Sequence, residues 1–231
     1  MDADKIDRTE RLARYLRRLA HDIRNASSLL TLNLDMLRQE VNTGRARACL
    51  EDSDEAIRRL ESMSQDLSRS LSPVDADTEP CDLRLLAEQA IDTVLTERTR
   101  EAAPALALVP NIQGEARGVG PATFFRTSIG IVLANAFDAI ESIQDGQPAV
   151  SIRLAAPPLT VTVYNNGPAI GADLVSEIFE PFVSRVDHTR FRSGLGLTRA
   201  RRFAQRVGGE VAIEENGPSG VSFRIRTNNN P

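Results

Sequence analysis

A chain of 231 residues with 41% hydrophobic and 26% charged residues has apolar material for one large domain or two small ones. Its net charge of −4 offers no basic footprint for nucleic acid. No apolar run approaches the roughly 18 residues of a membrane span, and the start MDADKIDRTE is too polar for a signal peptide, so a cytoplasmic protein that takes its signal through a partner is expected.

The first periodic stretch places apolar residues at Leu12, Leu16, Leu19, Ile23, Ala26, Leu30, Leu34, Leu37 and Val41. This 4-3 spacing is the seam of a helix bundle. Asn42-Thr43-Gly44 reads as a C-cap and turn. A second seam follows through Cys49, Ser53, Ile57, Leu60, Ser64, Leu67 and Leu71, closed by Ser72-Pro73. Residues 1–72 are therefore expected to form an αα-hairpin, and a homodimer would bury both stripes as a four-helix bundle. His21 falls on the outer face of the first helix. Asp22 stands beside it and Asn25 lies one turn on, stacked on the same side. An exposed imidazole with a carboxylate at its flank is a candidate phosphoryl acceptor, and a surface histidine without a role is the plain alternative.

Residues 73–80, within SPVDADTEP, read as a linker. Residues 81–227 then mix helices and strands. Helices are expected over 83–95, 122–143 and 197–207, and strands over 150–154, 160–164, 210–214 and 221–226, the last two joined as a hairpin. That order predicts an α+β domain, a mixed sheet covered on one face by helices. Residues 228–231 read as a disordered tail. The two cysteines, Cys49 and Cys81, have no metal-ligand spacing and read as small buried or half-buried thiols.

Four segments of this second domain carry polar groups where chemistry could use them. Asn135 and Asp138 interrupt the apolar run IVLANAFDAI. A buried amide there must be hydrogen-bonded or face a ligand. Asn165-Asn166-Gly167-Pro168-Ala169 follows a strand and is at least a tight turn. Phe179-Glu180-Pro181-Phe182 precedes a basic stretch with Arg185, His188, Arg190 and Arg192, which has the make-up of a mobile lid. Gly194-Leu195-Gly196-Leu197 opens a helix, where backbone N–H groups and the helix dipole favour a phosphate.

In this order the motifs resemble the histidine kinases of two-component systems, over nearly the whole chain. His21-Asp22-x-x-Asn25 is similar to the phosphoacceptor box. Asn135-Ala136-x-Asp138-Ala139 is similar to the N box, Asn165-x-Gly167-x-Ala169 to the first glycine box, Phe179 to Phe182 to the F box, and Gly194 to Leu197 to the second glycine box. The resemblance implies a Bergerat-fold ATP-binding domain behind a dimerisation and histidine-phosphotransfer hairpin. It implies that Asn135 ligates Mg²⁺, and that Asp138, Asn165, Gly167, Ala169, Phe182, Arg190, Arg192, Gly194, Leu195, Gly196 and Leu197 bind ATP. His21 would attack the γ-phosphoryl group with Asp22 as general base, then pass it to the receiver domain of a response regulator. Asn25 would serve phosphatase action by aligning a water. A separate sensor or upstream protein would supply the input, with neither nucleic acid nor membrane as a partner.

The sequence departs from that family at three positions. Asn165 stands where the resemblance implies an aspartate that accepts from the adenine amino group. Ala169 stands for a glycine, and Ile131 for an upstream asparagine. Exchanging a charged acceptor for a neutral one costs about 1–2 kcal/mol, roughly tenfold in affinity. Two readings follow: a histidine kinase that uses ATP, or a dimeric phosphotransfer or pseudokinase-like protein that relays phosphate or docks a partner.

Overall fold

The computed structural model describes residues 16, 21, 23–25, 27–28, 30–35, 37–38, 44–71, 78–100, 108–141, 143, 147–181, 183 and 194–228. Asp22, Phe182, Arg190 and Arg192 lie outside the described residues, as do Arg185 and His188, the turn residues 42–43, residue 72 of the expected hairpin, positions 73–77 of the linker, and 229–231 of the tail. The chain divides into two compact units, Met1–Pro73 with Pro181–Gly196, and Val74–Glu180 with Leu197–Pro231.

In the first unit every described residue from 21 to 38 is helical, and helix α1 spans Gly44–Leu71. Gly44 thus opens the second helix. Leu50 and Ile57 are buried together with two serines, Ser27 and Ser64. Arg24 donates to Ser68 Oγ at 3.3 Å across the hairpin, and Arg38 pairs with Asp54. Of these polar residues Ser64 is a seam position, and Arg24, Ser27 and Ser68 each lie one residue past one. Leu30, Leu37 and Leu60, all read as seam positions, stay 50%, 48% and 42% exposed. Among the described residues, a single hairpin leaves these three leucines of the stripe uncovered.

The second unit is an α/β sandwich. Strand β1 (Glu79–Asp82) pairs antiparallel with β3 (Arg117–Gly120) as a small separate sheet. Residues 79–80 are therefore strand and not linker. The main sheet runs β2 (Asn111–Gln113), β4 (Val150–Ala155), β5 (Thr160–Asn165), β7 (Gly220–Thr227), β6 (Gly209–Gly217). β2 and β4 are parallel and every other pair in it is antiparallel, so the sheet is mixed. The parallel pair follows from the crossover through helix α3 (Ala122–Glu141), since parallel neighbours cannot be joined by a tight turn.

Helices α2 (Leu83–Arg100), α3 and α5 (Gly196–Arg206) contribute to one core with the sheet; the short α4 (Ala172–Val175) contributes no buried residue. Alternation along β4 and β5 turns Ile152, Val161 and Val163 inward onto Phe124, Phe125, Val132, Phe137 and Phe203. Phe124 stacks edge-on against Phe203 at 5.6 Å between centroids. Asp82 starts α2: its Oδ1 accepts the backbone N–H groups of Arg84 (3.1 Å) and Leu85 (3.3 Å). The Leu85 N–H, with help from Arg117, holds this carboxyl below the usual carboxylate range. The inward alternation of β5 ends on Asn165, which places a polar side chain at the edge of an apolar core.

Candidate active site

Asn165 closes β5 and is only 4% exposed. Its Oδ1 accepts the Gly167 N–H at 3.0 Å, and its Nδ2 donates to the Val221 carbonyl on β7 at 3.4 Å. Gly167 is crowded from two directions. A Cβ there would lie 2.8 Å from Asn165 Oδ1 and 2.9 Å from both the Cβ and the carbonyl oxygen of Ala139 on α3. Only glycine allows that approach, so the first glycine box and the N box pack directly together. The neighbouring Asn166 spreads its amide over the preceding loop, accepting from Ala149 N (2.7 Å) and donating to Gln147 O (2.8 Å).

Asn216 is a contributor the sequence reading passed over. On β6 its Oδ1 accepts the Ile170 N–H at 2.8 Å and its Nδ2 donates to the Ile170 carbonyl at 3.0 Å. One side chain thus imitates a strand partner for the loop that contains Gly167 and Ala169. Gly220 closes the same hairpin with φ of 137°, and a Cβ there would stand 2.2 Å from the Asn165 carbonyl oxygen. Asn216 falls between the expected strands 210–214 and 221–226, and nothing in its spacing signals the clamp.

On α3 a half-exposed stripe runs through Ile131, Asn135, Asp138 and Ala139. Asn135 lies one turn before Ala139, so the N-box amide and the Gly167 contact share a helix face. It is an amide oxygen of the kind Mg²⁺ takes beside substrate phosphates, so the residue fits that ion. Asp138 has a different partner. Arg98 on α2, 5% exposed, donates to Asp138 at 3.2 Å, pairs with Glu141, and lies over the Phe137 ring at 5.2 Å. Asp138, expected among the ATP-binding residues, thus ties α3 to α2. The signal for Arg98 was present in sequence, since it continues the inward stripe Ala87, Ile91, Val94.

Of the F box, Phe179 meets Phe223 edge-on at 6.5 Å and carries Arg201 over its ring at 5.4 Å. Gly194 has φ of 66°, a left-handed turn that favours glycine, and Gly196 is the first residue of α5. Leu195 is buried, and Leu197 packs against the core of the sheet unit. In the hairpin unit His21 and Asn25 are both exposed, and Asn25 Nδ2 lies 3.3 Å from His21 Nδ1.

Residues 120–230 match the family described as histidine kinase-, DNA gyrase B-, and HSP90-like ATPase. The sensor protein ChvG of Agrobacterium fabrum is 25% identical over 219 residues, which cover 90% of this chain and 37% of that protein. The C4-dicarboxylate transport sensor protein DctB of Rhizobium meliloti is 38% identical over 95 residues, 41% of this chain and 14% of that one. Full-length ShkA, solved in complex with AMPPNP, superposes with a TM-score of 0.66 at 18% identity, covering 93% of this chain and 45% of that one. Residues 120–230 carry the ATPase domain of that family, and the chain is similar to two-component sensor histidine kinases. The histidine kinase AdeS of Acinetobacter baumannii superposes with a TM-score of 0.58 at 18% identity, covering 90% of this chain and 98% of that one. Against the two curated sensor proteins above, this chain spans 37% and 14% of their length. No helix among the described residues is long and apolar enough to cross a membrane.

Proposed function

We propose that this histidine kinase phosphorylates its own His21 from Mg-ATP and passes the phosphoryl group to an aspartate in the receiver domain of a response regulator. The observation that carries this reading is the packing of Gly167 against Ala139 and Asn165, which only a glycine permits and which joins the N box to the first glycine box. Mg²⁺, when bound through Asn135 and the phosphates, would neutralise charge that develops on the transferred group. His21 Nε2 supplies the electron pair for the new N–P bond as the bond from the γ-phosphorus to its bridging oxygen breaks and the diphosphate leaves. Asp22 takes the ring proton, and Arg190 and Arg192 bring positive charge. Phe182 and the backbone from Gly194 to Leu197 enclose the nucleotide.

We assign Asn25 to the reverse traffic, as the amide that aligns a water against the phosphorylated receiver. The exposed Leu30, Leu37 and Leu60 support a homodimer in which a second hairpin covers them. We place the protein in the cytoplasm, with its input from a separate sensor or from further sequence. The orientation of Asn165 favours a second reading, in which His21 is loaded by another phosphoprotein and the nucleotide site is idle.

The test is incubation of the purified chain with γ-labelled ATP and Mg²⁺. Label that is acid-labile and absent from His21→Ala supports the kinase. Absence of label at all Mg²⁺ concentrations, with no nucleotide binding by calorimetry, overturns it in favour of the relay.

A further inference from the structure

The main sheet has two unlike faces. One carries the apolar core. The other takes the alternate residues of the same strands: Ser151 and Arg153 on β4, Thr162 and Tyr164 on β5, Ser222 and Arg224 on β7. On β6 the alternation breaks. Ile213 pairs with Phe223 and Glu215 with Ser222, so Glu214 is the extra residue of a bulge. A bulge sets two residues against one and re-aims a side chain. Glu214 and Glu215, neighbours in sequence, accordingly line one concavity of about 250 Å³ together with Arg153, Thr162, Tyr164 and Ser222. The two carboxylates have different duties. Glu214 accepts from Thr162 Oγ1 at 3.1 Å and pairs with Arg224 at 3.2 Å. The Glu215 side chain is exposed and has neither hydrogen bond nor ion pair with another described residue, and the same holds for Arg153. On β7, between their strands, Ser222 stands opposite Tyr164 on one side and Glu215 on the other. It is 3% exposed, and its Oγ has no hydrogen-bond partner among the described residues. Buried hydroxyls are ordinarily satisfied, so this one asks for an explanation.

We propose that this concavity binds a small zwitterion of the class of free α-amino acids, with the ligand carboxylate on Arg153, its ammonium on Glu215 beside the Tyr164 ring, and Ser222 Oγ as a hydrogen-bond donor to it. A ligand of one charge would meet an attractive group at one end and a repulsive one at the other. A zwitterion answers both. Three strand spacings separate β4 from β6, about 14 Å of backbone. An arginine and a glutamate side chain take up most of that span, which leaves room for two charges a few bonds apart. The volume agrees, since it lies below the range of drug-sized sites and admits one amino acid but no folded partner. Exposed ion pairs contribute little singly, so affinity depends on both ends being met at once. The site is separate from the nucleotide reading and stands or falls without it.

The experiment exposes the full chain to each of the common α-amino acids at up to about 10 mM, reads Tm, and measures by calorimetry any that raise it. The expected result is a rise in Tm and a binding heat with one amino acid or a chemically related few. The N-acetyl derivative of the binder lacks the ammonium charge and its α-carboxamide lacks the carboxylate charge. Each should bind about fivefold more weakly or worse, and the unmodified amino acid should lose as much on Arg153→Gln and on Glu215→Gln. Both side chains are exposed, so neither variant should disturb the fold, and the two derivatives test the unaltered chain in any case. No change in Tm and no heat across the whole set overturns the proposal. So does affinity that survives the loss of either ligand charge or of either side chain.

Discussion

Asn25 Nδ2 and His21 Nδ1 stand 3.3 Å apart on the outer face of the hairpin, one helical turn from each other. The tautomer of the ring and the orientation of the amide are therefore one variable. An amide that donates to Nδ1 goes with a proton on Nε2. An amide turned to accept from Nδ1–H leaves the Nε2 lone pair for attack. Asn25→Ala removes this coupling. Autophosphorylation should fall by no more than about fivefold, the worth of one neutral hydrogen bond. Dephosphorylation of the receiver, where the amide handles the reacting water, should fall at least about a hundredfold. Paired assays with one regulator give the split, and equal losses would remove the role assigned to Asn25.

Gly167→Ala tests the contact between the two boxes. The added methyl would need space held by the Ala139 carbonyl and the Asn165 amide. Overpacking of this kind costs about 1–3 kcal/mol. The expected variant is folded, lower in Tm, and unable to bind nucleotide by calorimetry. Normal affinity would show that the loop reshapes freely.

Asn216→Ala removes both side-chain bonds to Ile170 without touching a ligand. The exposed clamp should contribute about 1 kcal/mol to stability. Its larger effect falls on the loop holding Gly167 and Ala169, so nucleotide affinity should drop while the melting curve stays cooperative. Hydrogen exchange at Ile170, faster in the variant, is the direct readout.

Arg98→Met keeps the apolar stem over Phe137 and deletes the guanidinium. Asp138 and Glu141 then lose the guanidinium they share at the α2–α3 junction. Losing one partner of a buried cluster costs several kcal/mol, and the partial exposure of both carboxylates puts this case at about 2–3. Urea unfolding measures it.

Cys81 is buried on β1, and burial, reinforced by Glu79 and Asp82, pushes its thiol up to about 11. The folded chain thus holds this proton more tightly than the unfolded one. Stability from the neutral thiol is complete below about pH 9 and is lost as pH rises toward 11. Cys81→Ala should flatten that alkaline decline in the urea midpoint. Alkylation of Cys81 at neutral pH should require unfolding.

Much of this was legible in the sequence because it rests on backbone demands. The long strands β4, β5 and β7 announce themselves by alternation. The glycines at 167 and 194 mark a crowded contact and a left-handed turn that other residues would break. The small sheet was not legible: β1 contains Pro80 and β3 contains two glycines, and each exists through the other, Glu79 opposite Gly120 and Asp82 opposite Arg117. Asn216 was hidden for a similar reason. A side chain that pairs with backbone 46 residues away leaves no local period. Asp138 stands in a motif that suggests a ligand contact, and its ion pair with Arg98 follows from a different signal, the helical stripe that ends in Arg98.

The neighbours of Asn165 also set an order in time. Its strand is bordered by β7, and its loop is held by Asn216, so the first glycine box is framed by the last two strands of this sequence. A chain emerging from the ribosome has both nucleotide motifs of the central region in hand long before either has its support. Only when residues 216–227 are added can the loop close. A chain interrupted or clipped ahead of that hairpin keeps His21 and Asn135 and still has no closed loop at Gly167.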